Sequence, residues 1–488
     1  MNYPILFKMV GIFLGAFTLS MGVCVPIALL YQEWGMLAVL MESMLVGGVL
    51  SGTLYMLGRN AKGDVFRREA LATVGLSWLL AIAVGALPFY LSQSVPDFAS
   101  AYFEASSGLT TTGASIFTSI EDKPYALLFW RSFLHFLGGL GIVILFVAFL
   151  PLVGAGGRAL FLQESTGPIT EGMTPRIKDT SKKLVSLYVG LNVVQTLMLW
   201  AAGMNLFDAV THAMGTIATG GFSTKNTSVL FFQSPIIEWI IILFMFIGGA
   251  NFGLHLDLLK GKFNYHRNVE FLTYFGLVFG SALVISICLL FSDTQAVSNP
   301  SGWNFRDALF AVTTLQSCTG FATVDYDQWP AGVKIILLLL LFVGGCAGST
   351  GGAIKVARFV ILAKLLWREV NASVSPRSVK LLKMDGNVIK PETAYQVLIF
   401  FFFYLLIAGI GTMLVGLLMP YQSIVTSFSA VLACMANAGP GLDLVGPVMN
   451  YSSQSPAAMW VLSMLMILGR LELFSILVLL SPSFWIRH

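Results

Sequence analysis

Four short strings in this chain of 488 residues place hydroxyl, thiol or amide side chains beside bare backbone. They are Thr110-Thr111-Thr112-Gly113-Ala114, Ala218-Thr219-Gly220-Gly221-Phe222, Cys318-Thr319-Gly320-Phe321 and Asn437-Ala438-Gly439-Pro440-Gly441. Each ends a short, half-apolar run. Each is followed, after a polar stretch, by a long apolar segment with small residues near its middle: Gly138-Gly139, Gly248-Gly249, Gly344-Gly345 and Gly469. The chemistry that fits is binding of a dehydrated cation, because a ring of carbonyl oxygens from four segments can replace its hydration shell. Glycine suits such a loop because it tolerates positive φ, so consecutive carbonyls can turn to one side. The candidate filter residues are Thr111, Thr112 and Gly113; Thr219 and Gly220; Cys318, Thr319 and Gly320; and Asn437, Ala438 and Gly439. A single Thr-Gly pair in an apolar chain is ordinarily helix packing. Four copies spaced about 100–120 residues apart form an internal repeat and favour the filter. The match is looser in the fourth, where Ala438 stands in place of Thr.

A second group of residues suggests a barrier on the same path. The run Gly344-Gly345-Cys346-Ala347-Gly348-Ser349-Thr350-Gly351-Gly352 holds five glycines in nine positions. Each weakens a helix by about 1 kcal/mol, which predicts a broken helix with a flexible loop below the filter; close helix packing by small residues is the other reading. No Gly-Lys-Ser/Thr follows, so it is not a nucleotide loop. Arg470 and Glu472 lie inside the last apolar run, where a charge costs several kcal/mol. Two positions apart on a helix they do not face each other. Separate partners are expected, with Arg470 either facing the pore or held in a static interhelical salt bridge. Asn251 reads as a helix–helix hydrogen-bond donor, Asp208 and Asn304 as caps of short helices.

These residues need a membrane scaffold. The chain is 56% hydrophobic and 11% charged, against about 25% charged in soluble domains. The expected fold is all-α and polytopic, with four span–pore helix–span repeats around a central pore plus two N-terminal transmembrane helices. Ten spans are predicted, at 5–31, 36–58, 69–93, 125–152, 183–203, 235–260, 268–292, 331–363, 395–419 and 456–483, each near the roughly 20 residues that cross a bilayer. The first, following Lys8, is too long for a signal-peptide core and reads as retained. Short helices at 98–110, 206–217, 304–317 and 423–436 reach only about 20 Å and read as re-entrant pore helices. Their C-terminal ends would point at the filter with about half a negative charge, which favours a cation. The units are 1–68, 69–155, 156–263, 264–372 and 373–488. Basic residues gather at 59–68, 158–183, 260–267 and 355–390, whereas Asp97, Glu121, Asp122, Asp293, Asp325, Asp327 and Asp443 lie in the alternate loops. The positive-inside rule then puts both termini in the cytoplasm and all four glycine loops outside.

Other classes fit poorly. The five cysteines (Cys24, Cys288, Cys318, Cys346, Cys434) are scattered and give neither a disulfide framework nor metal spacing. The histidines are dispersed: His212 reads as a hydrogen-bonded structural residue, and His135 and His255 as structural rather than pore-lining. No paired carboxylates or nucleophile–base spacing suggests an enzyme, and no cofactor is expected beyond the transported ion. A proton- or sodium-coupled secondary transporter is disfavoured because the repeats enter from one side and intramembrane acids are nearly absent. With one glycine per loop, rather than the two of Thr-Val-Gly-Tyr-Gly, selectivity should be moderate.

The four loops, the run 344–352 with Ile354-Lys355-Val356-Ala357-Arg358 after it, and Gly469-Arg470-Leu471-Glu472 together resemble the Trk/Ktr/HKT superfamily of potassium and sodium transporters. The resemblance covers about 69 to 488, and the two added N-terminal spans are similar to the TrkH/TrkG branch rather than KtrB. It implies a potassium-uptake subunit of the bacterial inner membrane, a homodimer with one pore per chain, and a cytoplasmic ring of TrkA-type nucleotide-binding subunits. It makes Gly344, Gly345, Gly348, Ser349, Thr350, Gly351 and Gly352 an intramembrane gating loop, with Arg470 below the filter. Plant-type members that carry sodium have Ser at the first filter glycine; here all four positions are Gly, which favours potassium. A sodium-conducting member of the same fold is the alternative. The basic stretch 355–390, with Arg377, Lys380 and Lys383, and the loop 156–183 are the expected docking surface for the regulatory ring, lipid headgroups being the other partner for such charge.

Overall fold

The computed structural model describes residues 1–61, 67–149, 173–292, 304–375 and 381–485, without the side chains of 67, 143–149, 173–178, 474 and 475. Among the described residues the regular structure is helical, apart from a two-stranded hairpin of Lys383–Met384 and Asn387–Val388. Seven of the expected spans are present, and among the described residues seven helices are long and apolar enough to cross a membrane. They are Tyr3–Leu30, with a 3-10 turn at Met21–Cys24, and then Trp34–Gly58, Arg67–Leu91, Tyr125–Phe149, Met173–Ala201, Val269–Leu290 and Pro391–Leu418.

The other three expected spans are interrupted, and all three are inner helices of the repeats. The 235–260 span is Pro235–Gly249 and Phe252–Leu259, bent by 102°. The 331–363 span is Ala331–Phe342 and Val356–Val374, separated by non-helical chain. The 456–483 span stops at Arg470 because Glu472 and Leu473 turn left-handed, and only short turns follow. Apolar runs alone did not reveal these breaks. The nine small residues signalled one of them, through the helix-weakening of glycine.

The pore helices Phe98–Leu109, Leu206–Ile217, Phe305–Gln316 and Ile424–Ala436 fall within two residues of expectation. Three start with a side-chain cap: Asp97 accepts from Ser100 N–H, Asn205 from Asp208 N–H and Ser423 from Thr426 N–H. The caps expected at Asp208 and Asn304 differ. Asp208 is in the first turn and Asn205 does the capping. Asn304 holds the cap position without a capping hydrogen bond.

The N-terminal pair packs tightly on itself and on repeat 1. A side chain at Gly58 would strike Pro4 and Lys8 backbone, and the Ser51 hydroxyl donates to the Gly11 oxygen at 2.8 Å. Glu33 accepts the N–H groups of Tyr125 and Ala126 at 2.6 and 3.0 Å. It thereby satisfies the open start of the repeat 1 inner helix.

Candidate ion filter and the loop beneath it

Each pore helix ends in the same way. Thr111, Thr219, Cys318 and Asn437 are left-handed, with φ of 54°, 54°, 63° and 54°. Their N–H groups bond the carbonyl three residues back, and the next N–H bonds the carbonyl five residues back, at 2.7–2.9 Å in all four. This is the Schellman termination, usually built with glycine. Left-handed backbone on a β-branched Thr is a strained choice that costs of order 1–3 kcal/mol.

Two residues on, Gly113, Gly221, Gly320 and Gly439 have φ of 83°, 78°, 90° and 83°. A Cβ on Gly113 would collide with the Gly220 oxygen, one on Gly221 with that of Thr319, one on Gly320 with that of Ala438, and one on Gly439 with that of Thr112. The four loops therefore close a ring in chain order, each glycine against the next loop's middle carbonyl. Gly220 lies in the ring at the position of Thr112, Thr319 and Ala438. The glycine of loop two in the left-handed position is Gly221, which the expected set omitted. A signal was available: the polar residues at the helix starts, Asp97, Asn205, Asn304 and Ser423, each precede the ring glycine by sixteen positions.

Side chains brace the ring from behind. The Asn437 amide donates to Thr112 Oγ1 at 3.0 Å and to the Met466 oxygen at 2.9 Å. The Tyr451 hydroxyl donates to the Gly439 oxygen at 2.8 Å. His135 Nε2 accepts from Phe222 N–H at 3.2 Å, which leaves the proton on Nδ1 to bond the Gly108 oxygen at 2.8 Å. His135 thus ties pore helix one to loop two. His212 is bonded to the Asp208 oxygen and to Ser223 Oγ, as a structural histidine would be. His255, also read as structural, lies between Tyr265 Oη and the Ile247 oxygen.

The segments leaving the ring interlock in the same order. Glu121 accepts from Asn226, Ala322 N–H donates to Ser228 Oγ, Asp443 N–H to Asp327, and Tyr451 N–H to the Ser115 oxygen. Ser423 and Thr426 hydroxyls each reach Asp443 Oδ2 at 2.5 Å and hold its carboxyl below the usual carboxylate range.

Under the ring runs the segment 343–355. Gly351 abuts the Ser317 oxygen and Gly352 the Ala436 oxygen, at the ends of pore helices three and four. Thr350 Oγ1 donates to the Ile217 oxygen of pore helix two at 2.8 Å. Backbone bonds join it to the break in repeat 2: Cys346 N–H to Gly249 O, Phe252 N–H to Gly348 O and Thr350 N–H to Gly248 O. Asn251 caps the restart there, accepting from Gly253 N–H at 2.6 Å, rather than bonding another helix. Gly344 and Gly345 pair with the loop's own far end at Ile354 and Val356. Among the described residues, the fully buried hydroxyl of Ser349 takes no hydrogen-bond partner. Lys355 Nζ donates to the Gly351 oxygen.

Arg470 and Glu472 have separate partners. Arg470 donates to the oxygens of Thr350 and Gly138, and Glu472 pairs with Arg358 at 2.5 Å. Among the described residues the hydrogen-bond partners of Arg470 are main-chain oxygens, not a carboxylate.

The sequence reading missed several buried charges, among them three beside the ring and the loop beneath it. Glu104 and Arg131 pair at 2.5 Å beside loops one and two. Glu270 Oε1 accepts Ala347 N–H at 2.6 Å, within the loop, and Ala357 N–H at 3.1 Å, in the first turn of the helix that follows it. Intramembrane acids are therefore present, but Glu104 and Glu270 are engaged in structure. Their signal was a lone Glu inside an otherwise apolar or small-residue helix. Arg377, Lys380 and most of 156–183 lie outside the described residues; Lys383 is exposed on the hairpin.

Comparison with known proteins gives a consistent picture. The family described as TrkH, cation transport protein, matches residues 38–486. The chain is 37% identical over 490 residues to the Trk system potassium uptake protein TrkH of Escherichia coli K12, covering 99% of this chain and 100% of that one. It is 32% identical over 481 residues to the E. coli Trk system potassium uptake protein TrkG, covering 98% and 97%. The crystal structure of the potassium transporter TrkH from Vibrio parahaemolyticus superposes with a TM-score of 0.89 at 34% identity, covering 100% of both chains.

Proposed function

The chain belongs to the TrkH family of cation transport proteins, and from that premise we propose that it takes up potassium across the bacterial inner membrane. The carrying observation is the closed ring in which Gly113, Gly221, Gly320 and Gly439 each meet the next loop's carbonyl. Such a ring offers oxygens from four segments to one dehydrated cation. The ion-binding residues are those of 111–113, 219–221, 318–320 and 437–439. The segment Gly344–Gly352, pinned by Arg470, closes the path beneath them, and the fixed guanidinium charge opposes a cation there.

The working unit is a homodimer with both termini in the cytoplasm, regulated by a TrkA-type nucleotide-binding ring. The exposed helix Val356–Val374 and the hairpin at 383–388 support a cytoplasmic docking face, since Leu366, Trp367, Val370 and Val374 are left uncovered. Neutralising Lys383 together with Arg377 and Lys380 should weaken co-purification with that ring. If lipid binding alone changes, the docking assignment is wrong. The repeats divide at 69–155, 156–263, 264–372 and 373–488, after the N-terminal pair 1–68.

The deciding experiment is rubidium against sodium flux through purified protein in liposomes, with and without a proton gradient. Rubidium flux well above sodium, indifferent to the gradient, is expected. Equal fluxes would favour a sodium-conducting member of the fold, and strict dependence on the gradient would favour symport.

A further inference from the structure

We propose that Glu104 and Arg131 are positioning residues for ion selectivity, a buried charged bracket that holds loops one and two of the ring in register. The inference rests on the filter reading above. Both side chains are buried, Glu104 at 0% and Arg131 at 1% exposure. Glu104 Oε1 accepts from Arg131 Nε at 2.5 Å and from Ser115 Oγ at 3.1 Å, while Oε2 accepts from Ile116 N–H at 3.0 Å. Arg131 Nη1 donates to the Ser223 oxygen at 3.0 Å, and its guanidinium lies 3.7 Å from the Phe222 ring centre. Ser115 is two residues beyond Gly113, and Ser223 two beyond Gly221. One ion pair thus grips the exits of two adjacent loops, directly after the glycines that meet each other.

The repeats supply an internal control. Nine positions before the ring glycine stand Glu104, His212, Ala311 and Ala430. The inner-helix glycines that press on the pore-helix ends are Gly138, Gly248 and Gly469. Seven positions before them stand Arg131, Ile241 and Leu462. Repeat 4 fills the same place with Ala430 and Leu462, both fully buried. The fold therefore accepts an apolar pair here. Buried ion pairs are commonly no more stabilising than apolar side chains of similar volume, and their best-attested use is to fix register. A planar guanidinium suits that task, since it bonds in a fork and stacks on an aromatic face at once. The bracket also concentrates at one corner of the ring. There His135 joins Gly108 to Phe222 and His212 reaches Ser223 Oγ.

The test compares E104A/R131L, which copies repeat 4, with R131K and with the ring variant G439A, by rubidium and sodium flux in liposomes. E104A/R131L should remain monodisperse and conduct, with the rubidium-to-sodium ratio lowered about tenfold, equivalent to about 1.4 kcal/mol. R131K keeps the charge but loses the fork and the stack, so it should lower the ratio as well. It decides the matter if the double variant does not fold. A ratio within twofold of the parent in a folded E104A/R131L, or in R131K, overturns the inference when G439A still lowers it. If G439A also leaves the ratio unchanged, the filter reading itself fails.

Discussion

The Arg470 guanidinium donates to the main-chain oxygen of Thr350 at 2.6 Å, joining the last inner helix to the middle of the loop beneath the ring. Its other arm reaches the Gly138 oxygen at 3.3 Å. In the proposed function the barrier is thus one assembly of charge and backbone. A hydrogen bond to a charged group contributes about 1.5–3 kcal/mol, so Arg470→Ala should raise rubidium flux roughly tenfold with the rubidium-to-sodium ratio unchanged. Deleting Gly348 to Gly351 should also raise flux. The combined variant should give less than the product of the two effects, because they act on one barrier. Loss of flux in a folded, dimeric deletion variant would make the segment packing rather than a gate.

Ring substitutions separate shape from chemistry. Gly113→Ser adds a hydroxyl, but its Cβ already meets the Gly220 oxygen at a φ of 83° that disfavours any side chain. Gly113→Ala should therefore lower the potassium-to-sodium permeability ratio about as much as Gly113→Ser. A large drop with Ser and none with Ala, measured in the same liposomes, would assign the effect to the hydroxyl instead.

Glu270 offers a second handle on the loop. One carboxylate oxygen receives N–H groups from Ala347 and Ala357, so the loop and the start of the helix after it are both tied to the start of Val269–Leu290. The Asp385 carboxylate on the hairpin accepts the neighbouring Val269 N–H at 2.8 Å. Glu270→Gln keeps the shape and removes the charge. It should raise flux severalfold, leave selectivity intact and speed amide exchange across 344–357. Unchanged exchange there would show that Glu270 serves only its own helix.

Asp443 should set an acid limit on the segments leaving the ring. Hydroxyls of Ser423 and Thr426 depress its ionisation, so the stability it contributes is fully present above the unfolded value of about 3.9. That contribution is lost as pH falls through the depressed folded value. The melting temperature of the parent should exceed that of Asp443→Asn by a constant margin between about pH 5 and 8, and the margin should shrink below about pH 4. A margin that varies across the neutral range would place the relevant titration elsewhere.

Much of this was legible in the sequence because spans and glycine loops are local signals. Length and hydropathy located seven spans, and the short runs before the glycine loops located the pore helices. Two inner helices were read as continuous because hydropathy does not sense a kink such as Ala250-Asn251 or a left-handed pair such as Glu472-Leu473, whereas the glycines of 344–352 signalled the break in the third. Loop two offered adjacent glycines, and composition could not say which one takes positive φ; the distance from Asn205 could. Glu104, Arg131 and Glu270 escaped because their partners lie in other elements, 11 to 92 residues away. Burial of a charge becomes intelligible only with its partner in view.

The fixed distance of sixteen residues from helix start to ring glycine acts as a ruler. Side chains along it differ between copies: Glu, His, Ala and Ala occupy one shared position. One inserted residue would rotate the helix end by about 100° and carry that glycine out of contact with its neighbour. Between helix start and ring glycine the four quarters thus differ in composition but not in length. Counting alone, without any residue beyond a polar start and a terminal glycine, should locate the corresponding quarters in a diverged chain.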